Sequence, residues 1–309
     1  VEGIKRKIYF LTFCSEGDPY DSGKNLLHNV FYIKTFLSCY FDEILVYTPR
    51  ILKSLNGSEN FCNFHDGEFP LNPGLNSLGC GDFKSFIIDK TLNEIEEGSY
   101  VLYHDCNFSK YPQYWQTDWK NIEKIFDLLL EANRSDFFIP FESLLNGVPS
   151  LVRFHGKRYT TEKIIDDPAE GEIISWCYEI ASSRILIKNT QRSREFFKEY
   201  KDLCSEKDLL TKEPNPNPYP EFTHSCPEQH ILNLLVYKNI LEGKLDPEFP
   251  KYMFYNRKLR IDNNLMLYEN HLLTKYMSSE RIKSMIEIIK SNDNHIRGTE
   301  EFGEDLFIT

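Results

Sequence analysis

The chain has 309 residues, with 36 Lys+Arg against 47 Asp+Glu and a formal net charge of −11. That acidic balance argues against a nucleic-acid partner or an anionic membrane surface, because both demand net positive surface. No run approaches the ~18–20 consecutive apolar residues of a membrane-spanning helix, so no membrane span is expected.

At 41% hydrophobic and 27% charged, the composition is that of an ordinary globular protein. The length allows one large α/β domain or two small ones. The cysteines (Cys14, Cys39, Cys62, Cys80, Cys106, Cys177, Cys204 and Cys226) include no Cys-x-x-Cys pair. Reduced thiols in a cytoplasmic setting are therefore expected, and a zinc site is not. Val1 to Lys7 lead directly into a strand without the layout of a signal peptide.

Lys7 to Cys14 is a short β-rich run that ends in a polar loop, Ser15 to Ser22, and reads as a buried first strand. Leu26, Leu27, Val30, Phe31, Ile33, Phe36 and Leu37 recur at helical spacing, and Phe41 to Thr48 reads as a second strand stopped by Pro49. This β-α-β opening predicts a parallel sheet. Residues 50–82 are loop-rich, after which Asp82 is placed to cap a helix from Phe83 to Glu97, ended by Gly98. Ser99 to Tyr103 is a nearly continuous apolar strand that runs into His104, Asp105, Cys106 and Asn107. Trp119 to Asn133 has the pattern of an amphipathic helix, and Asp136 to Phe141 that of a strand.

In the second half, Thr160 or Thr161 is placed to cap a short helix through Ile165. Ser183 to Lys188 reads as a strand, and Thr190 as the cap of a helix from Arg192 to Leu203. Pro214, Pro216, Pro218 and Pro220 remove backbone donors and predict an extended connector. Ser225, with Pro227 and Glu228, opens a helix that runs from Ile231 to Ile240, and Ser279 to Ser291 is a further helix before a polar tail. Neither repeats nor a clean domain boundary interrupt the chain, which reads as one α/β domain with a helical C-terminal elaboration.

Ligands of open α/β sheets bind beyond the carboxyl ends of the strands. That rule selects the loop from Thr12 to Ser22 and the one that follows Tyr103. Asp105 and Asn107 offer a carboxylate and a carboxamide oxygen that can share one hard cation, leaving positions open for phosphate oxygens. Alternatively, both side chains satisfy backbone groups of a local turn. Glu228 reads either as a base for an acceptor hydroxyl or as a complement to the helix dipole behind a Ser225 cap. Arg153, His155, Lys157, Arg158 and Lys163 form a basic run that either faces an anion or is a solvated face. Tyr111, Tyr114 and Trp115 either stack on a sugar or pack in a core. A dinucleotide-binding fold lacks its Gly-x-Gly-x-x-Gly, and a hydrolase its Gly-x-Ser-x-Gly.

Taken in order, several of these pieces resemble one family. Glu97 to Asn107 is similar to the Asp-x-Asp region of GT-A type glycosyltransferases, in which the motif ends a central strand and holds a divalent metal against a nucleotide-sugar diphosphate. Asp82-Phe83-Lys84-Ser85-Phe86 resembles the Trp-Lys-Pro-like entry before that strand in bacterial and viral members. Ser183 to Thr190 has the pattern of their late strand and following helix. Glu221 to Leu235 resembles their Asp-Gln-x-Ile-Leu segment, which lies under the donor sugar in retaining, glycogenin-like members. The match covers roughly residues 5–240, with Asn107 and Glu228 standing where the family has Asp.

The resemblance implies a GT-A fold over residues 1–309, a mixed, mostly parallel sheet flanked by helices. Its nucleotide-sugar half is expected at 5–140, its acceptor half at 141–245 and a helical extension at 246–309. It implies a metal-dependent glycosyltransferase, with a lean to retention, using a UDP-sugar with Mn²⁺ or Mg²⁺ and a glycan, lipid-linked or protein-linked acceptor. The implied state is a monomer or homodimer. Asp105, Asn107 and His295 are the implied metal ligands. Lys84 and Arg297 would contact the diphosphate, and Thr12, Phe13, Cys14, Tyr47 and His104 would line the nucleoside side. Glu228 and Gln229 would carry the sugar transfer. The competing expectation is a catalytically inactive nucleotide or carbohydrate binder on the same fold.

Overall fold

The computed structural model describes residues 6–13, 31, 33–58, 82–105, 119–140, 150–210, 218–220, 222, 226–246, 252–253 and 266–267. Strands β1 (Ile8–Phe13) and β2 (Glu43–Tyr47) precede two helices, α1 (Pro49–Lys53) and α2 (Phe83–Glu94). Strand β3 (Tyr100–His104), helix α3 (Ile122–Asn133) and the two-residue strand β4 (Phe137–Phe138) follow. Helices α4 (Val152–His155), α5 (Arg158–Ile164) and α6 (Pro168–Ser175) then lead to strand β5 (Arg184–Lys188). Helices α7 (Gln191–Cys204), α8 (Lys207–Leu210) and α9 (Pro227–Leu241) come next, and strands β6 (Tyr252–Met253) and β7 (Met266–Leu267) pair with each other.

The main sheet has the order β2-β1-β3-β5-β4. β1 pairs parallel with β2 and β3, whereas β5 runs antiparallel to both β3 and β4. Four strands thus point one way and β5 points back. The molecule is an α/β protein with a mixed, mostly parallel sheet, and β3 is its middle strand.

Alternation along each strand builds two cores, because successive side chains leave opposite faces of a pleated sheet. Tyr9, Leu11, Phe13, Val101, Tyr103, Ile185 and Ile187 join one cluster with residues of α2, α7 and α9. Ile8, Phe10, Tyr100, Leu102 and Leu186 join the other with Trp119 and α3. Both faces of β1 and β3 are therefore covered, which is why their sequences are almost continuously apolar.

Several expected boundaries differ, each for a local reason. Pro49 does not merely stop β2; it opens α1 behind Thr48, whose side chain accepts a hydrogen bond from the Ile51 amide. Proline suits that first helical position because its missing N–H has no partner there anyway. Thr160 and Thr161 lie inside α5, whose N-cap is Lys157. The Thr161 hydroxyl instead donates back to the Lys157 carbonyl at 3.3 Å. Cys226, not Ser225, is the N-cap of α9, and it makes no side-chain capping bond. Asp82 and Thr190 cap α2 and α7 as expected, Thr190 within a reciprocal capping box. Of the segment expected as a helical extension, the described residues include two short paired strands; the helix expected at 279–291 lies outside the described residues.

Asn189 ties the turn before β3 to the end of β5. Fully buried, it donates to the carbonyls of Ile95 and Glu96, both at 3.1 Å, while its backbone pairs with Gly98 and Ser99. Gly98 adopts φ 85°, a conformation that favours glycine. Substituting Asn189→Ala should cost about 1–3 kcal/mol, because buried carbonyls lose their donor. Urea unfolding measures this directly, and an unchanged midpoint would contradict the role.

His230 locks α9 in a similar way. Its Nε2 lies 3.2 Å from both the Lys157 carbonyl and the Thr161 hydroxyl. A Cβ on Gly156 would meet the His230 ring at 2.4 Å, so glycine permits the close approach. Burial pushes the imidazole down to about 4 from an ordinary value of 6.5. Between those values the unfolded chain binds a proton that the folded chain refuses, so acidification from about pH 6.5 to 4 lowers stability. His230 alone should account for about 3 kcal/mol of that loss. In the His230→Leu variant, stability measured against pH over this window should be correspondingly flatter.

Candidate functional site

The antiparallel return of β5 decides what surrounds the end of β3. Because β5 runs backwards, its entry rather than its exit lies beside Asp105, whose amide donates to the Ser183 carbonyl at 2.9 Å. The residues just before β5 therefore share one edge of the sheet with the end of β3. The N-termini of α2 and α9 bring Lys84 and Glu228 to the same place.

Lys84 is the meeting point. Its ammonium lies 3.5 Å from Asp105 Oδ1 and 3.4 Å from Glu228 Oε2. It donates to the Ser182 hydroxyl at 3.0 Å and sits 5.8 Å from the centre of the Tyr103 ring. Only 8% of Lys84 is exposed, and 3% of Glu228. Burial alone would lower the Lys84 pKa, but Asp105 and Glu228 outweigh it and hold the ammonium above its ordinary range. Burial raises Glu228 in turn, an effect opposed by Lys84 and by hydrogen bonds from Tyr200 and Ser182. The Tyr200 hydroxyl donates to Glu228 Oε1, and the Ser182 hydroxyl to Oε2 at 2.9 Å. Glu228 is thus held on both oxygens.

Asp105 is the outward member, with its side chain 26% exposed. Tyr103 donates to Oδ1 at 2.7 Å, on the same oxygen that faces Lys84. Two carboxylates share one ammonium here, and Asp105 is the more exposed of the two. The nearby Asp82, whose Oδ1 caps α2 by accepting from the Phe83 amide at 2.8 Å, is pushed up to about 8 by burial.

Gln229 adds a second branch. Its Oε1 accepts from the Ser182 amide at 3.2 Å, and its Nε2 donates to Glu179 Oε1 at 2.8 Å. Glu179 Oε2 then meets His155 Nδ1 at 2.5 Å.

The structure thus brings together Lys84, Asp105, Glu228 and Gln229. It does not bring Phe13, Tyr47 or His104 to them. Phe13 stacks on Phe83 with ring centres 3.9 Å apart. Tyr47 is built into the same core cluster. His104 points to the opposite face of the sheet, where its ring packs near Phe10 and Trp119. Thr12 is also buried, its hydroxyl donating to the His104 carbonyl at 2.6 Å. Cys14, Asn107, His295 and Arg297, with the aromatic segment 111–115, lie outside the described residues. Arg153 of the basic run is a core cation: it stacks 3.6 Å from the Trp176 ring centre and 4.9 Å from that of Tyr219. Among the described residues no group of three His, Cys, Asp or Glu side chains converges as a complete metal-binding set.

Sequence reasoning misses Ser182, Glu179 and Tyr200. Ser182 and Glu179 reach the site only because β5 reverses, which a local pattern does not reveal. Tyr200 sits on the apolar face of α7 with Phe196, Phe197 and Cys204, and its spacing is that of a core residue. A cavity of about 510 Å³ lies elsewhere, against the starts of β3 and β4 and the end of β5, with Tyr100, Asp136 and Lys188 in its wall. It is at the far end of the strands from Asp105. Two of its lining charges, Arg6 and Asp127, pair with each other at 3.1 Å.

Removing the central ammonium should unbalance the cluster. Lys84→Met is expected to cost about 3–5 kcal/mol in urea unfolding, since it leaves Glu228 buried beside a second carboxylate. Combining it with Glu228→Gln should recover most of that loss, and additive losses in the double variant would refute the coupling. No protein-family model, no curated protein and no solved structure matches the chain.

Proposed function

We propose that the chain is a GT-A type glycosyltransferase that moves a sugar from a nucleotide-sugar, with a UDP-sugar favoured, to a hydroxyl acceptor. One observation carries the reading. Three segments whose sequences resemble that family at separate places, around Lys84, Asp105 and Glu228-Gln229, meet at a single ammonium within 3.5 Å of both carboxylates. The mixed sheet supports it further, with the Asp105 motif leaving the middle strand.

Asp105 fits a divalent cation as a partial ligand. It is the outward carboxylate of a cluster with more acids than bases, and among the described residues the contacts to its side chain fall on Oδ1. Such a cation, Mn²⁺ or Mg²⁺, takes few protein oxygens and completes its shell with phosphate oxygens and water. When bound it neutralises charge on the departing diphosphate. Asn107 and His295 are the proposed further ligands.

The chain's own residues have distinct parts. Lys84 positions Asp105 and Glu228 rather than reaching outward, because its donors are already directed at Ser182 and the two carboxylates. Glu228 is inaccessible to an acceptor hydroxyl: both its oxygens are engaged and it is buried. A general base must lie within hydrogen-bond reach of the proton it takes. That geometry supports retention, in which a departing phosphate oxygen accepts the acceptor proton and no protein base is required.

Thermal shift with a panel of nucleotide-sugars, with and without Mn²⁺, tests the reading. A UDP-sugar should raise the melting temperature in a metal-dependent way, and turnover should yield product with the donor's anomeric configuration. Asp105→Ala should reduce transfer by about 100-fold or more while the fold survives, as expected when a group that stabilises transition-state charge is lost. Near-wild-type transfer in that variant would remove the site assignment, and binding without turnover would favour the inactive binder.

A further inference from the structure

The buried pair His155–Glu179 lies behind Gln229, and Glu179 is outside the set of residues singled out by sequence. Glu179 is 1% exposed. Burial on its own would raise its pKa, but His155, Gln229 and Ser150 reverse the effect and hold it below the ordinary carboxylate range. A buried carboxylate with both oxygens committed is a costly group to maintain unless its partners require it. Its partners are the His155 ring at 2.5 Å on one oxygen and the Gln229 amide nitrogen at 2.8 Å on the other.

We infer that Glu179 is a positioning residue: it fixes the carboxamide of Gln229 in one orientation, so that the site edge presents an N–H donor, never an amide oxygen. The argument is one of hydrogen-bond polarity. An amide nitrogen carries two protons, and an ionised carboxylate only accepts. With Nε2 on Glu179, the amide oxygen faces the Ser182 N–H at 3.2 Å. Rotating the amide by half a turn would set its oxygen against a carboxylate and its nitrogen against a backbone donor, both repulsive. The second Nε2 proton is left on a side chain that is half-buried, next to Ser182 and hence to Lys84. His155 makes this hold by supplying the proton that faces Glu179.

Resting on the nucleotide-sugar reading above, the inference assigns that outward N–H an acceptor oxygen on the sugar of the donor. The nucleotide part makes no such demand, so UDP alone should be indifferent to the orientation of Gln229.

A polarity swap tests it, using the full chain. In the double variant Glu179→Gln with Gln229→Glu, the link between the two positions and the link to His155 can both be kept. The amide introduced at position 179 donates to the carboxylate introduced at position 229, and its oxygen accepts from His155. The outward atom becomes a carboxylate oxygen. The expected result is a melting temperature within a few degrees of wild type, and UDP-glucose or UDP-galactose affinity with Mn²⁺ weaker by about tenfold or more beyond any change in UDP affinity, as for a lost hydrogen bond to a bound hydroxyl. Glu179→Gln alone should weaken the same sugars without affecting UDP. Equal affinity for the UDP-sugars in wild type and swap would overturn the positioning role. Side-chain amide exchange by NMR reads the same geometry without any ligand: Gln229 should show one slowly and one rapidly exchanging proton, and Glu179→Gln should abolish that difference. Two rapidly exchanging protons in wild type would overturn the inference. Failure of wild type to bind any UDP compound would instead remove the nucleotide-sugar reading, leaving the amide exchange to decide on Glu179.

Discussion

A buried ammonium between two carboxylates organises the edge of the sheet where β3 ends. Bringing Lys84 out of water costs several kcal/mol unless opposite charge is held close and its donors are satisfied. Asp105 at 3.5 Å, Glu228 at 3.4 Å and the Ser182 hydroxyl at 3.0 Å meet that demand. Each comes from a different part of the fold, so the charge balance holds only when β3, the entry to β5 and the start of α9 are all in register. The cluster therefore forms only when these elements are correctly assembled.

Local preference opposes the arrangement. Lys84 occupies the first turn of α2, where the positive end of the helix dipole disfavours a cation. Glu228, in the first turn of α9, has the favourable sign, and α9 lacks a side-chain cap that would satisfy its first amides. The unfavourable lysine is tolerated because the neighbouring helix terminus delivers the carboxylate it needs. Natural chains break local rules mainly where the tertiary structure compensates, and such places are the usual location of function.

The sheet is largely legible in the sequence because burial of both faces writes its inner strands as short apolar blocks. Buried β1 and β3 read as apolar runs, and the Thr190 cap of α7 has a specific local motif. Pro49 and the threonines of α5 mislead because the same residue serves equally well as a stop, a cap or a helix interior, and long-range packing chooses. The site divides in the same way. Lys84, Asp105, Glu228 and Gln229 lie in segments with recognisable local sequence. Ser182, Glu179 and Tyr200 are ordinary residues, placed by contacts that span 98, 50 and 28 positions of chain respectively. Nothing within a short window distinguishes a serine that bridges Lys84 and Glu228 from one that ends a turn.

The grading of exposure across the cluster bears on how chemistry would proceed there. Glu228 and Glu179 are almost wholly enclosed, Gln229 is half-buried, and Asp105 opens to solvent. Charges held inside without water keep fixed positions and act on a ligand without reorganising, which is the condition for effective electrostatic stabilisation. An enclosed carboxylate acts poorly as a proton acceptor but well as an anchor; an outward one meets ligands directly. Asp105 and Gln229 are the partly exposed members of the Lys84 cluster, one a carboxylate and the other a carboxamide. In the glycosyltransferase we propose, the complementary pair would be a divalent cation on the diphosphate and hydroxyl oxygens on the sugar.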